Sequence, residues 1–592
     1  MDIIFVNAIY FLYDNSNSIN IGQLILRDIL KNDYEVECVS FDYMNQINEV
    51  NYTEDLDNSV KIMANKLLEM KPKIIGFYTI CNSFIITVLL AKYIRKVQPN
   101  IKIIFGGPHA TINNEEILKQ YNFVDVICLG ESEYSIKPLV EALLSNTDLS
   151  QVPGISYLSN GQIVSTEHAE LVTNEKLSNY TVYDFNPFIL DNTESFMIEG
   201  GRGCPFSCTF CTTSKFWDRK YRVKPVRDLI DEMNKLNKLY GIKKFSIQHD
   251  MFTANRVYIS EFCQYLIDND TGYSWGCSSR VDVLDFDLID LMSRSNCTSI
   301  YIGIETGSSR MQKEINKNLN LDHAVEIIEY ISKKEIEVTT SFIYCFPNET
   351  IEDFKNTIHL MEKLLLIGIY NVQLHRFMPL PNTDETDKIR DVMYYDPNVI
   401  ETTMNIVKPT KEIINMIKRN KLLFSQYYTF NSVVKDAYTR FDVFIEKLGP
   451  LNIAYRKCIN TIVGKYGLED IYFFTKNKLD EIYHHTQYLN PHDRASHDVE
   501  KYNVQLFHKI FIEYLKSKKE YNNKMFNEIV KYEYIKYIYS MNIDKKPTII
   551  QFSVNIEKAI NNNICESCDY YVRYISKNKF VHTTRVIPKK SP

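Results

Sequence analysis

Five short apolar runs, MDIIFVN, YEVECVSF, KIIGFYTI, IKIIFGG and VDVICLG, lie between Met1 and Gly130, separated by stretches whose apolar residues recur at helical spacing. The runs are rich in β-branched and aromatic residues without polar alternation, the pattern of strands buried on both faces. INIGQLILRDILKN, SVKIMANKLLEM, FIITVLLAKYIRKV, EEILKQY and SIKPLVEALL supply the helices. Such alternation dictates an α/β fold with a doubly wound parallel sheet over residues 1–150. Ligands of such sheets sit beyond the carboxyl ends of the strands. Here those loops are Asn7 to Tyr13, Thr79 to Ser83, Gly106 to Thr111 and Gly130 to Glu133. No G-x-G-x-x-G follows the first run, which disfavours a dinucleotide.

PGISYLSNGQIVST breaks the alternation with a hairpin signal at Asn160-Gly161, and a polar stretch follows. Residues 151–188 therefore read as hairpin and linker. A second series then begins: SFMIEGG, KKFSIQHD, YSWGCSSR, TSIYIGIE, EVTTSFIYCFP and NVQLHRFMP, again separated by helices. In the clearest helix, VRDLIDEMNKLNKLYG, Val226, Leu229, Ile230, Met233 and Leu236 stripe one face and Gly241 ends it. Six strand-helix units predict a partial (β/α)6 barrel over 189–394, with its chemistry at the C-terminal ends of the strands. Residues 395–592 read as a mainly α-helical domain, ending in a strand and helix tail at KPTIIQFSVNIEKAI.

At 592 residues the chain builds several cores and needs no staples. Its N-terminus shows no basic leader, and Asn7 and Asp14 break the apolar run, so no membrane span and a cytoplasmic setting are expected. Most of the thirteen cysteines stand singly in apolar runs, as reduced thiols do. A net charge of −6 without a long basic block argues against a nucleic-acid partner.

Cys204, Cys208 and Cys211, in GGRGCPFSCTFC, are different. Structural zinc wants four ligands, and the next candidate, His249, lies across a helix and a strand. A redox dithiol needs two cysteines, and a cytoplasmic disulfide is out of place. A cubic iron-sulfur cluster normally takes four thiolates; with three, one iron keeps an open position for a small molecule. Gly201 and Gly203 permit a tight wrap, and Pro205, Phe206 and Phe210 shield it from water.

R-G-C-P-x-x-C-x-x-C at the end of a first barrel strand resembles the cluster loop of the radical S-adenosylmethionine (SAM) superfamily. The resemblance implies a [4Fe-4S] cluster on Cys204, Cys208 and Cys211, SAM on the open iron, and reductive cleavage of SAM to a 5′-deoxyadenosyl radical. It also implies Gln248 and Asp250, with His249, at the SAM amine, and Arg280 near its carboxylate. Gly303 and Glu305 fall beside ribose and methionine. Two loops, SFIYCFPNET and HRFMPLPNTD, carry Cys345, Asn348 and Asn382 where relatives have glycine. Asparagine tolerates a left-handed backbone better than most residues.

NIGQLILRDIL, IGFYTICNS, FGGPHAT and LGESE are similar to the cobalamin-binding subclass of that superfamily. The similarity implies cobalamin at Thr79, Asn82, Ser83, Gly106, Gly107, His109, Gly130 and Glu131, with Glu133 flanking the same mouth. The cobalt-ligating D-x-H-x-x-G motif is absent, so His109 is expected along the nucleotide tail, and the lower face of cobalt is expected to be free or occupied by water or by a side chain from the Tyr10 to Tyr13 loop. Methylthiotransferases fit less well, because Cys38, Cys81 and Cys128 are too scattered to hold a second cluster. Cys565 and Cys568 are too few for a metal, and the adjacent His484 and His485 read as surface residues. The resemblance implies methylation of an unactivated carbon in a small-molecule or peptide precursor, fed by a reductant such as flavodoxin or ferredoxin under anaerobic conditions. The alternatives are cobalamin-assisted cyclisation, oxidation or rearrangement without methyl transfer, and a non-catalytic iron-sulfur or cobalamin sensor.

Overall fold

The computed structural model describes residues 1–8, 20–50, 55–185, 195–369, 371–396, 410–483, 497–540, 548–562, 567–577 and 580–586. His484, His485, Cys565 and the loop of Tyr10 to Tyr13 lie outside the described residues, as does the side chain of Cys568.

Each apolar run of the first domain forms a strand: β1 (Ile3–Asn7), β2 (Val36–Ser40), β3 (Ile74–Tyr78), β4 (Lys102–Gly106) and β5 (Val126–Cys128). They pair in parallel in the order β2-β1-β3-β4-β5, which puts the topological switch between β1 and β3. The expected hairpin is β6 (Ile155–Ser159) and β7 (Gln162–Ser165). Asn160 and Gly161 take φ of 51° and 77°, the geometry of a two-residue hairpin turn. It pairs antiparallel with β5 and extends the first sheet, whereas the sequence places it with the linker. The reason is burial: Ile155 and Tyr157 are apolar on the face that meets Val126 and Leu139.

The second series forms β8 (Phe196–Glu199), β9 (Gly201–Arg202), β10 (Arg222–Val223), β11 (Lys244–Gln248), β12 (Ser274–Ser279), β13 (Cys297–Glu305), β14 (Glu337–Tyr344) and β15 (Asn371–Arg376). Six of these make one parallel sheet in the order β8-β11-β12-β13-β14-β15, the partial barrel, while β9 and β10 pair antiparallel beyond the end of β8. The helix Val226–Tyr240 buries the predicted stripe and is closed by Gly241 at φ 71°.

After the barrel the chain returns to the first domain. Leu423, Phe424 and Tyr427 are buried in the same core as Phe84 and Phe105, and Gln426 donates to the Cys81 carbonyl at 3.2 Å. The helices Phe441–Ala454, Arg456–Tyr483, His497–Ser517 and Lys524–Ser540 then share the barrel's own core. Tyr344 donates to Asp442 at 2.8 Å across that contact. The tail forms the expected strand Thr548–Val554 and helix Ile556–Asn562. Two further strands, Ser567–Lys577 and Phe580–Val586, complete an antiparallel sheet that the helical reading of this domain omits.

Candidate active site

Cys204, Cys208 and Cys211 stand half-buried on the loop that leaves β9. Glycine makes this loop possible. A Cβ on Gly201 would lie 2.2 Å from the Arg222 carbonyl, and one on Gly203 2.2 Å from that of Lys220. Gly203 also holds φ at 89°, a left-handed conformation. Its N–H donates to Asp250 Oδ2 at 3.0 Å. Among the described residues no three His, Cys, Asp or Glu side chains converge on a single metal ion. A cubane instead spreads its sulfur ligands over separate irons, which three cysteines on one loop suit. Burial pushes the Cys204 thiol up to about 11 and raises that of Cys208, where Lys317 and Arg280 oppose the rise. A metal that takes thiolates therefore displaces protons here.

The loop forms one wall of a cavity of about 580 Å³ at the C-terminal ends of the barrel strands. Gln248, Asp250, Arg280, Gly303 and Glu305 all line it, so the structure brings the predicted SAM-side residues together with the cysteines. Their present engagements differ. Asp250 anchors the cluster loop through Gly203, and Gln248 donates to Ser246 at 2.9 Å. Arg280 lies 3.9 Å over the Phe206 ring and donates to Cys208 Sγ at 3.5 Å, to Asp282 and to the Lys317 carbonyl. His249 accepts from the Met251 N–H at Nδ1, so its Nε2 carries the proton and donates to the Arg222 carbonyl at 3.0 Å.

Glu305 sits at a bulge where β13 slips against β14, with φ at 71°. The bulge turns its carboxylate back over Gly303, where a Cβ would meet Glu305 Oε1 at 2.3 Å. There it accepts from Lys317 Nζ at 2.6 Å, a pair with side chains only 10 % and 6 % exposed. Sequence reading misses Lys317; the signal was a lone lysine in EINKN, shortly after the G-x-E motif.

A second cavity, about 230 Å³, opens at the carboxyl ends of β3, β4 and β5. Gly76, Gly106, Gly107 and Gly130 line it, and a Cβ added to Gly130 would meet nothing within 4 Å. Glycines there let a flat group lie against backbone, as a corrinoid and its tail require. Of the residues expected at cobalamin, Gly106, Gly107, Gly130 and Glu131 line this slot, and Thr79, Asn82, Ser83 and His109 do not. Thr79 is buried and bonds the Gly106 carbonyl and the Ala110 N–H, and Ser83 accepts from the Ile80 N–H. Asn82 has a buried Oδ1 without a partner. The short helix Pro108–Ile112 turns the His109 ring into the core, 4.4 Å from Phe84, where burial pushes its pKa down to about 3.

Glu131 lines the slot with its carboxylate already committed. It binds Arg202 and Arg222, each at 2.8 Å, and accepts from the Val172 N–H at 2.7 Å. Arg202 also binds Glu133 at 2.7 Å and Glu199 at 2.8 Å. This buried network ties the loop after β5 to the strand that delivers the cysteines. Glu199, Arg202 and Trp217 line both cavities, so the two meet at this wall.

Residues 198–361 match the family model of the Radical SAM superfamily, and residues 16–140 that of the B12 binding domain. An uncharacterized methyltransferase of Pyrococcus horikoshii is 25% identical over 405 residues, covering 67% of this chain and 87% of that protein. The anaerobic magnesium-protoporphyrin IX monomethyl ester cyclase of Cereibacter sphaeroides is 29% identical over 312 residues, covering 50% of each chain. The chain thus spans about half the length of that cyclase. Among solved structures, the cobalamin-dependent S-adenosylmethionine radical enzyme OxsB shares the fold at a TM-score of 0.59 and 15% identity, over 90% of this chain and 84% of that one.

Proposed function

We propose, from a chain that sets a B12-binding domain ahead of a radical SAM domain, that this cobalamin-dependent radical SAM enzyme methylates an unactivated carbon. The observation that carries this reading is the wall of Glu199, Arg202 and Trp217 shared by the two cavities, since one substrate carbon must be reachable from both. Cys204, Cys208 and Cys211 would hold a [4Fe-4S] cluster, which would supply the electron for reductive cleavage of SAM, and the slot would hold cobalamin as the source of the methyl group.

The chain's own residues hold and shield these groups. Arg280 and Lys317 place positive charge beside Cys208, which offsets the negative charge of a thiolate-bound cluster. Phe206, under the Arg280 guanidinium, keeps water from that side. Glu305 and Lys317 form a preset ion pair on the cavity wall, and the carboxylate and ammonium of SAM are the complementary partners. The substrate is a small molecule or peptide precursor, and the electron comes from a flavodoxin- or ferredoxin-like reductant.

An anaerobic assay with reconstituted protein, reductant, SAM and candidate precursors tests the reading. Methyl transfer predicts 5′-deoxyadenosine and S-adenosylhomocysteine in equal amounts. The likeness to a cyclase favours the second reading, a cobalamin-assisted reaction without methylation, which predicts 5′-deoxyadenosine alone. Neither product from any precursor leaves a non-catalytic binding protein. Sustained turnover in air would contradict the requirement for an anaerobic, reducing cytoplasm.

A further inference from the structure

The interior of the partial barrel is polar where barrels are usually filled by Val, Ile and Leu. Strand register sets the inward positions in two rows: Ser246 beside Gly276 beside Ser299, and Ser278 beside Tyr301 beside Thr339. The alternate positions, including Phe245, Trp275 and Val338, are buried in the apolar core and do not line the lumen. The inward set lines an open-mouthed cavity of about 220 Å³, with Ser246, Gln248, Ser278, Ser299, Tyr301 and Thr339 among its walls, room for several waters. This lumen is continuous with the cluster-loop cavity, since Gln248, His249, Ser278 and Tyr301 line both.

Among the described residues the lumen lining holds five hydroxyls and an amide, and no Lys, Arg, Asp or Glu. Its one titratable imidazole, His249, is held neutral because burial pushes it down to about 4 and both ring nitrogens are bonded to backbone. A phosphate or carboxylate entering here finds no counter-charge and pays for its lost hydration. A purely apolar group leaves the hydroxyls without their water. Tyr301 keeps 39% of its surface exposed although its strand is central in the sheet. Its ring offers an apolar face beside hydroxyls that both donate and accept.

We infer that this lumen is a substrate subsite for a neutral, polyhydroxylated ring, of the sugar or cyclitol class, whose C–H face packs on Tyr301 while its hydroxyls bond Ser278, Ser299 and Thr339. The inference rests on the proposed radical chemistry only for placing the reacting carbon at the strand ends above the lumen.

Saturation-transfer NMR on the anaerobic, cluster-loaded protein tests it, with methyl α-glucoside and myo-inositol as probes and glucose 6-phosphate and phenol as comparisons. The two polyols are expected to bind and the comparisons to bind at least about fivefold more weakly, with the double substitution Ser299→Ala and Thr339→Val weakening the polyols about fivefold. Should that variant fail to fold, a wild-type crystal soaked with myo-inositol is expected to show the ring between Tyr301 and Ser299. The proposal is overturned if neither polyol binds, if glucose 6-phosphate binds as well as the glucoside, if the folded variant binds unchanged, or if soaked crystals hold only water in the lumen. Formation of 5′-deoxyadenosine by the wild-type protein, measured separately, reports on the radical chemistry alone.

Discussion

Glu305, Cys345, Asn348 and Asn382 all hold left-handed backbone, with φ of 71°, 63°, 64° and 59°. Such a conformation costs a residue with a side chain about 1–2 kcal/mol. At the exposed Asn348, glycine is expected to raise stability by up to ~1 kcal/mol and Asn348→Val to lower it by about 1–2 kcal/mol, read from denaturant midpoints. Identical midpoints for the two would refute the strain. Glu305→Gln removes the counter-charge of the buried Lys317 Nζ, and breaking such a pair costs about 3–5 kcal/mol. SAM binding by equilibrium dialysis is expected to weaken with it, and unchanged stability and binding would remove Glu305 from the site. The asparagines were legible as tolerant of this backbone. The Glu305–Lys317 pair was not, because it depends on a bulge that shifts register between Gly303 and Glu305, and a bulge leaves no periodic trace in the sequence.

The cluster loop depends on main-chain contacts as much as on its cysteines. Gly203→Ala places a methyl against the Lys220 carbonyl and is expected to abolish iron and sulfide loading as completely as Cys208→Ala, while the rest of the fold survives. Full iron content in that variant would show that the loop tolerates another path. In the helical domain, Gly467 interrupts the span Arg456–Tyr483 with φ 78° and ψ 170°, a conformation essentially reserved for glycine. Gly467→Ala is expected to cost about 1–3 kcal/mol in thermal or denaturant unfolding. The first-domain strands β1, β3, β4 and β5 were legible because nearly every residue in them is buried, leaving unbroken apolar runs. The hairpin's attachment to β5 and the antiparallel pair Ser567–Lys577 and Phe580–Val586 were not, since antiparallel strands need not be covered on both faces and carry weaker signals than buried parallel ones.

Across the whole molecule, His109, His249 and His508 are buried neutral, with pKa values pushed by burial to about 3, 4 and 4 from an ordinary 6.5. The unfolded chain therefore binds up to three more protons than the folded one as pH falls from 6.5 toward 4, and stability is lost over that window. Glu349, pushed up to about 8 by burial, acts oppositely and loses stability as pH rises from 4.5 to 8. The three imidazoles lower the melting temperature from pH 6.5 to 4.5, and Glu232, Asp250, Glu362 and Glu533, whose carboxyls burial also raises, join Glu349 in opposing that fall; an NMR titration midpoint near 6.5 for any of the three histidines would show that imidazole to be hydrated. His109 also marks where whole-molecule context escaped the sequence: its surroundings include Phe84 and the backbone of Leu423, more than 300 positions later. That return of Leu423, Phe424 and Tyr427 into the first domain has a consequence for biogenesis. A ribosome adding about 5–20 residues per second makes β5 roughly 15–60 s before the segment that finishes its domain's interior. Over that interval the nascent first domain exposes an incomplete oily seam, which makes it a client for chaperones that shield nascent chains.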